Sequence, residues 1–306
     1  MENLVTIGAK SKKHRRGDVV ETAMPLLLGA AALVSVLTSF GIIMTLVVDA
    51  SAFFRAVPLR EMFGTELAPL RHDNPAFGFL LLMAGTFVTS AIAIAVAFPI
   101  GLSAAMFLSE FTTTGVRKLL KPVIEVLAGI PTIVYGFFAY SFVTPLLMKL
   151  IPGLESKNAL SAGIVMGIMI IPLVTSLSED AMSAVPNSLR EGALALGATR
   201  LEVTWQVVIP AGLSGIIASF VLAVSRAIGE TMIVAIASGS AKNFTFNPAQ
   251  PIQTMTAYIV EFTSGDAGSG TVGYHSLYAV GLLLFLFTMG MNLLANRLIT
   301  KYRRVY

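Results

Sequence analysis

The chain has 306 residues, of which 55% are hydrophobic and only 12% charged, with a mean hydropathy of +0.80. Soluble domains carry roughly 25% charged residues, so this composition excludes an ordinary soluble enzyme and places the chain in a membrane. Cysteine is absent and the three histidines (His14, His72, His275) are scattered, which leaves disulfides, thiolate metal sites and a histidine metal cluster without residues to build them.

The net charge of +4 is a topology signal rather than a nucleic-acid surface. Five of the 21 Lys and Arg lie in KSKKHRR (Lys10 to Arg16), just before the first apolar run, and Arg297, Lys301, Arg303 and Arg304 follow the last one. The first run, Ala23 to Val48, is too long for a signal-peptide core and reads as a retained transmembrane helix. Six spans follow from the apolar runs: 23–48, 77–98 with a continuation to 107, 124–148, 159–178, 211–239 and 276–296. The fold class is therefore all-α and polytopic, with a basic N-terminus at 1–22, a membrane domain at 23–297 and a short tail at 298–306. Placing both termini in the cytoplasm puts 14 basic residues inside and 6 outside, with Arg226 in the membrane, and such a bias orients a membrane protein.

The second run is uncharged from 74 to 109. A straight helix of that length would extend about 54 Å, well beyond a ~30 Å hydrocarbon core, so Pro99 and Gly101 predict a kink or break. In the third span, Gly129 and Pro131 predict another kink, with Thr132 and Tyr135 as hydroxyls for a pathway. Glu125 is expected to pair with Lys121, four residues before it. The hydroxyls of spans two and five, such as Thr86, Ser90 and Ser219, suit helix contacts. The outer loops 49–76, 149–158 and 240–275 are too short for a separate domain, and Ile252 to Phe262 predicts a short helix at the outer surface, stopped at Gly265.

Two stretches carry more specific chemistry. Ala211 to Ser240 is charged only at Arg226 and Glu230. Each charge costs roughly 2.5–3.5 kcal/mol at a helix centre on insertion scales, so the placement has a function. On one continuous helix the two are neighbours four residues apart. One role is a salt bridge locking two spans. The other is a gate, in which Arg226 offers bidentate donors to an oxyanion and Glu230 neutralises it between substrates, flanked by Ser225 and Thr231.

The second stretch is PNSLREGALALGATRLEVTWQVVIPAG, Pro186 to Gly212, within a cytoplasmic loop at 179–210. Ser188 and Glu191 have capping-box spacing, Gly197 suits a C-cap, and the enclosed helix, Leu189 to Leu196, is about two turns. So short a helix is marginal in water and needs neighbours. Glu191-Gly192-Ala193, Gly197 and Val207-Val208-Ile209-Pro210 resemble the cytoplasmic signature of bacterial ABC importer permeases, with Gly192 replacing the usual alanine. Arg190 precedes that signature, and Arg200 with Glu202 lies within it after the loop helix, as a solvated face or a charge contact for a partner ATPase. SRAIGETM at 225–232, LSEFTTTGVRKLLKPVIEVLAGIPTIVYGFFA at 108–139 and the segment from Thr254 to Ile299 are similar to the phosphate importer permeases of the PstC type, with Met232 favouring that subunit over its sister.

The resemblance implies a type I importer permease of MetI-like fold, resident in the bacterial cytoplasmic membrane. It implies a heterodimer with a sister permease, two cytoplasmic ATP-binding subunits and an extracytoplasmic phosphate-binding protein. The loop would couple ATP hydrolysis on the partner to transport of inorganic phosphate, with ATP and Mg held by the partner. No P-loop motif occurs in this chain, so no cofactor and no enzyme activity of its own are expected, only lipid contacts. A permease for another oxyanion (sulfate or molybdate) would use the same spans and the same signature, whereas a self-contained carrier or channel would leave the signature at Glu191 to Pro210 without a purpose.

Overall fold

The computed structural model describes residues 14–71, 74–265 and 270–302. Lys10 to Lys13 of the basic run and Arg303 and Arg304 of the tail lie outside them. Helix α1 runs from His14 to Ala56. Residues up to Val48 and residues from Asp49 onward form two compact units. In the first, the helix is apolar and exposed along most of its length between Met24 and Val48, as a lipid-facing helix is.

The second unit contains α2 (Leu59–Met62), a two-stranded hairpin of β1 (Leu67–Ala68) and β2 (Ala76–Phe77), and α3 (Leu80–Met106) ending in a π turn at Phe107–Phe111. It continues with α4 (Thr114–Ala128), α5 (Thr132–Phe138), a π turn at Ala139–Val143, α6 (Thr144–Leu150) and α7 (Ala159–Ser183). The loop carries α8 (Asn187–Ala195) and α9 (Arg200–Val203), and a third π turn (Thr204–Val208) leads into α10 (Ile209–Ile228). Short α11 (Met232–Ala237), α12 (Met255–Ser264) and α13 (Val272–Tyr302) complete the described chain. Among the described residues, six helical runs are long and apolar enough to cross a membrane: Ala23–Ala56, Leu80–Phe111, Thr132–Leu150, Ala159–Ser183, Arg200–Ile228 and Val272–Arg297.

Four expectations need correction. Helix α3 is not broken at Pro99, which lies inside its Leu80–Met106 run, and Ser103 donates to the Pro99 carbonyl at 2.7 Å. Its extra length emerges at the loop end of the bundle, where it delivers Glu110. At Gly129–Pro131 the chain does not merely bend; it separates an amphipathic α4 from the spanning helix. Lys121 of α4 turns to α7, with its Nζ 2.9 Å from Glu179, so it does not pair with Glu125. Helix α12 is not superficial, because Met255, Tyr258 and Phe262 pack in a buried cluster with Phe53, Phe77 and Phe79. A buried Tyr258 hydroxyl is costly without a partner, and Ser276 of α13 supplies one at 2.6 Å.

The packing centre is the parallel pair α3 and α7. Small residues drive helix association in lipid by letting backbones approach, and Gly163 and Gly167 do this here. A β-carbon on Gly167 would lie 2.8 Å from the Ala93 carbonyl, and one on Gly163 2.7 Å from Ile92 Cβ. The Gly163-x-x-x-Gly167 spacing is the sequence signal for this close approach. Helix α10 returns antiparallel along α7, with the Ser178 and Ser219 hydroxyls 2.8 Å apart. Two of the three π turns precede a proline by two residues, Pro145 and Pro210. Proline lacks the N–H that a regular α ladder needs, and a single wide turn absorbs the mismatch without breaking the helix.

Candidate translocation and coupling site

Arg226 lies in the last turn of α10, exposed on the surface of this chain. Among the described residues no carboxylate comes within ion-pair range of it. Its one polar contact there is from Nη2 to Met169 Sδ at 3.7 Å, and a thioether is a weak acceptor. The guanidinium is thus left with nearly all its donors free.

Glu230 is not its partner. Helix α10 stops at Ile228, and the chain crosses Gly229 and re-enters a helix at Met232. The expected four-residue neighbourhood on one helix face does not exist. Glu230 is 7% exposed, and its Oε1 accepts from the backbone N–H groups of Met232 at 3.1 Å and Ile233 at 3.3 Å. A carboxylate at the start of a helix satisfies orphan amides that no intrahelical carbonyl can reach. Its own backbone carbonyl accepts from Thr256 Oγ1 at 2.6 Å, which ties the break to α12.

The flanking residues divide in role. Ser225 Oγ donates to Asn292 Oδ1 at 2.9 Å, a link from α10 to α13. Thr231 Oγ1 reaches back to the Gly229 carbonyl at 3.3 Å. Tyr135 spans the α4–α5 break, its hydroxyl donating to the Leu127 carbonyl at 3.1 Å. Its ring packs on the buried cluster that contains Met169, Ala223 and Ala227, which places it on the same patch as the base of Arg226. Thr132 begins α5, half-buried, and α5 packs on α11. An apolar cavity of about 460 Å³ lies between α3, α10 and α13, lined by Val224 and Ile228 on α10. Arg226, at 100° per residue, falls on the other side of the helix from those two.

At the opposite end of the run Arg200–Ile228 is the loop. Helix α8 starts at Asn187, after Pro186, earlier than expected. Ser188 therefore falls inside the helix, and the capping box forms at Thr199 and Glu202 instead. Gly197 has φ +90°, and Ala198 N–H reaches the Ala193 carbonyl at 3.2 Å, the bond pattern of a Schellman cap. Glu191 and Gly192 are exposed, Ala193 packs on the cluster below, and Leu196 is 91% exposed.

Arg190 holds α8 to the body. Its Nε and Nη2 meet the two carboxylate oxygens of Glu110 at 3.2 and 3.0 Å. Nη2 also donates to the Met182 carbonyl at 2.7 Å, and Nη1 to Val185 and to Asn187. Every guanidinium position is used. Glu110 was missed in the sequence, as was Glu179, which is 1% exposed and held by Arg117, Lys121 and Ser183. Each stands at the end of an apolar run, a weak signal, since a carboxylate buried there requires a partner. The partners lie 80 and 58 residues away in the chain.

Comparison with known proteins agrees with this architecture. Residues 97–304 match the family model described as binding-protein-dependent transport system inner membrane component. The chain is 32% identical to a probable ABC transporter permease of Bacillus subtilis, YqgH, over 94% of both chains. It is 36% identical to the phosphate transport system permease PstC of Mesorhizobium japonicum, over 74% of this chain and 75% of that one. Among solved structures, a bacterial ABC transporter importing alginate aligns over 95% of this chain and all of its own, with TM-score 0.65 and 14% identity. An inward-facing MetNI methionine ABC transporter aligns over 74% of this chain and 95% of its own, with TM-score 0.56 and 16% identity. Six apolar spans, a capped loop helix riveted to the bundle and a family match over two-thirds of its length make this chain a member of the binding-protein-dependent inner-membrane transport family, a multi-pass permease of the ABC importer type.

Proposed function

We propose that this chain is one of two permease subunits that carry inorganic phosphate into the cytoplasm, with both termini inside the cell. A sister permease completes the pathway, an extracytoplasmic binding protein delivers the anion, and two ATPase subunits holding ATP and Mg supply the energy. The observation that carries the reading is the uncovered guanidinium of Arg226 in a chain similar to phosphate permeases. An oxyanion about 4 Å from such a cation gains roughly 4 kcal/mol at an effective dielectric near 20, and guanidinium geometry suits two of its oxygens at once. Glu230 acts as the strut of the α10–α11 break and so positions Arg226, rather than competing with the anion for it.

The coupling route follows the covalent and ionic connections. A partner ATPase that grips α8 by its exposed tip at Leu196 pulls on Arg190 and through it on Glu110 at the end of α3. The 29-residue run from Arg200 to Ile228 is the second lever, since its far end bears Arg226. Two packed elements driven from one loop are what a two-state transport change requires. The test is labelled-phosphate uptake by vesicles carrying this chain, its sister and the ATPase, with each component omitted in turn and sulfate as competitor. Loss of uptake on every omission, and weak competition by sulfate, is the expected result. Flux from this chain alone refutes the coupling, and equal competition by sulfate refutes the choice of phosphate.

A further inference from the structure

A second cavity, of about 450 Å³, lies at the loop end of the bundle and is polar. Its lining includes Glu110, Arg117, Ser183, Asn187, Arg190 and Arg200, so three guanidiniums face one carboxylate. Arg190 is saturated by Glu110 and carbonyls, but the other two cations are not. Arg200 is exposed and has no side-chain partner among the described residues. Arg117 spends Nη2 on Ser183 and Glu179, and among the described residues its Nε and Nη1 meet no acceptor. Counting Glu179 behind Arg117 still leaves an uncompensated positive charge.

The geometry points to an oxyanion site here, filled by phosphate on the side of the membrane where transport releases it. We infer that the anion bridges Arg117 of α4 and Arg200 of α9, with Asn187 and Ser183 at hand as neutral partners and water filling the remaining volume. A bridged anion would brace α8 between α4 and α9 in the arrangement seen here, so accumulated phosphate would oppose motion of the coupling loop. On α8 the side bearing Asn187, Arg190 and Leu194 looks into the cavity, while Glu191 and Leu196 do not line it. The site therefore remains separate from the tip that an ATPase would grip. The choice of phosphate rests on the function proposed above; the charge imbalance does not.

Trp205, the one tryptophan of the chain, is half-exposed two residues beyond Val203, which also lines the cavity. Its fluorescence reports occupancy in the full-length chain held in zwitterionic lipid nanodiscs and titrated with inorganic phosphate at constant ionic strength. A saturable response is expected, weakened about tenfold or more in Arg200→Gln, as loss of a charge-assisted contact implies. Arg200→Lys should retain part of it, and Arg226→Ala all of it, which separates this site from the transport site. Anionic nanodiscs test whether a lipid headgroup supplies the phosphate oxygen: an Arg200-dependent response that disappears only there supports the site with the headgroup as its occupant. Each of these results overturns the proposal: no response, a response unchanged in Arg200→Gln, or one abolished by bound ATPase subunit, which would make the cavity part of the docking interface. A response lost in Arg226→Ala does so as well, while failed uptake with an intact response would count against the transport reading alone.

Discussion

Replacing Arg190 with alanine should free the coupling helix while leaving the membrane bundle folded. Glu110 is 8% exposed at its side chain and Arg190 15%, so solvent screens the pair little. Removing one member of a buried pair costs about 3–5 kcal/mol, because the other charge is stranded. The carbonyls of Met182 and Val185 lose their donor as well. That loss falls on α8, nine residues long and marginal by itself in water. Since 1.4 kcal/mol is a factor of ten, amide exchange in α8 should accelerate by about a hundredfold to a few thousandfold, up to the limit of full local opening. Exchange in α3 and α7 should hardly change. Hydrogen–deuterium exchange of the full-length chain in nanodiscs reads this directly. The double variant Arg190→Ala, Glu110→Ala removes the stranded carboxylate and should cost less than the two single changes summed. Unchanged exchange in α8, or strict additivity, would refute the rivet.

Other changes test the remaining contacts. Arg226→Ala should reduce phosphate uptake by about a hundredfold or more and Arg226→Lys by less, since a lysine keeps the charge without the fork; uptake at normal assembly checks this. Glu230→Gln keeps the Oε1 acceptor and should be nearly silent in stability, while Glu230→Ala strands two amides and should lose about 1–3 kcal/mol in denaturant unfolding; a large defect in the glutamine variant would restore a charge role. Glu179→Ala should cost about 2–3 kcal/mol in the same assay, below the figure for a fully buried pair because Arg117 and Lys121 are about a third exposed. Gly197→Ala should cost about 1–2 kcal/mol in the stability of α8, because an L-residue resists the left-handed conformation there, and faster exchange confined to α8 checks it.

What could be read along the chain, and what could not, follows from the range of each interaction. Apolar runs bounded by charge and glycine are local signals, and six of them gave six spanning runs. The loop helix and its stop at Gly197 were equally legible, since a cap depends on residues three or four apart. Arg226 was singled out because its cost in an apolar run does not depend on its neighbours. Its relation to Glu230 was misread for the same reason: helical spacing implies a pair only if the helix continues, and here it ends at Ile228. Whether Pro99 breaks a helix or is carried through it, and whether Tyr258 faces solvent or a core, was decided by what packs alongside. Partners for Glu110 and Glu179 came from 80 and 58 residues away, a distance over which periodicity carries no information. Sequence by itself thus determined which runs are apolar enough to span and which cation stands inside one of them; the exposure of that cation and the choice of partner for each buried charge belonged to the tertiary structure, because only folding brings distant charges within a few ångströms.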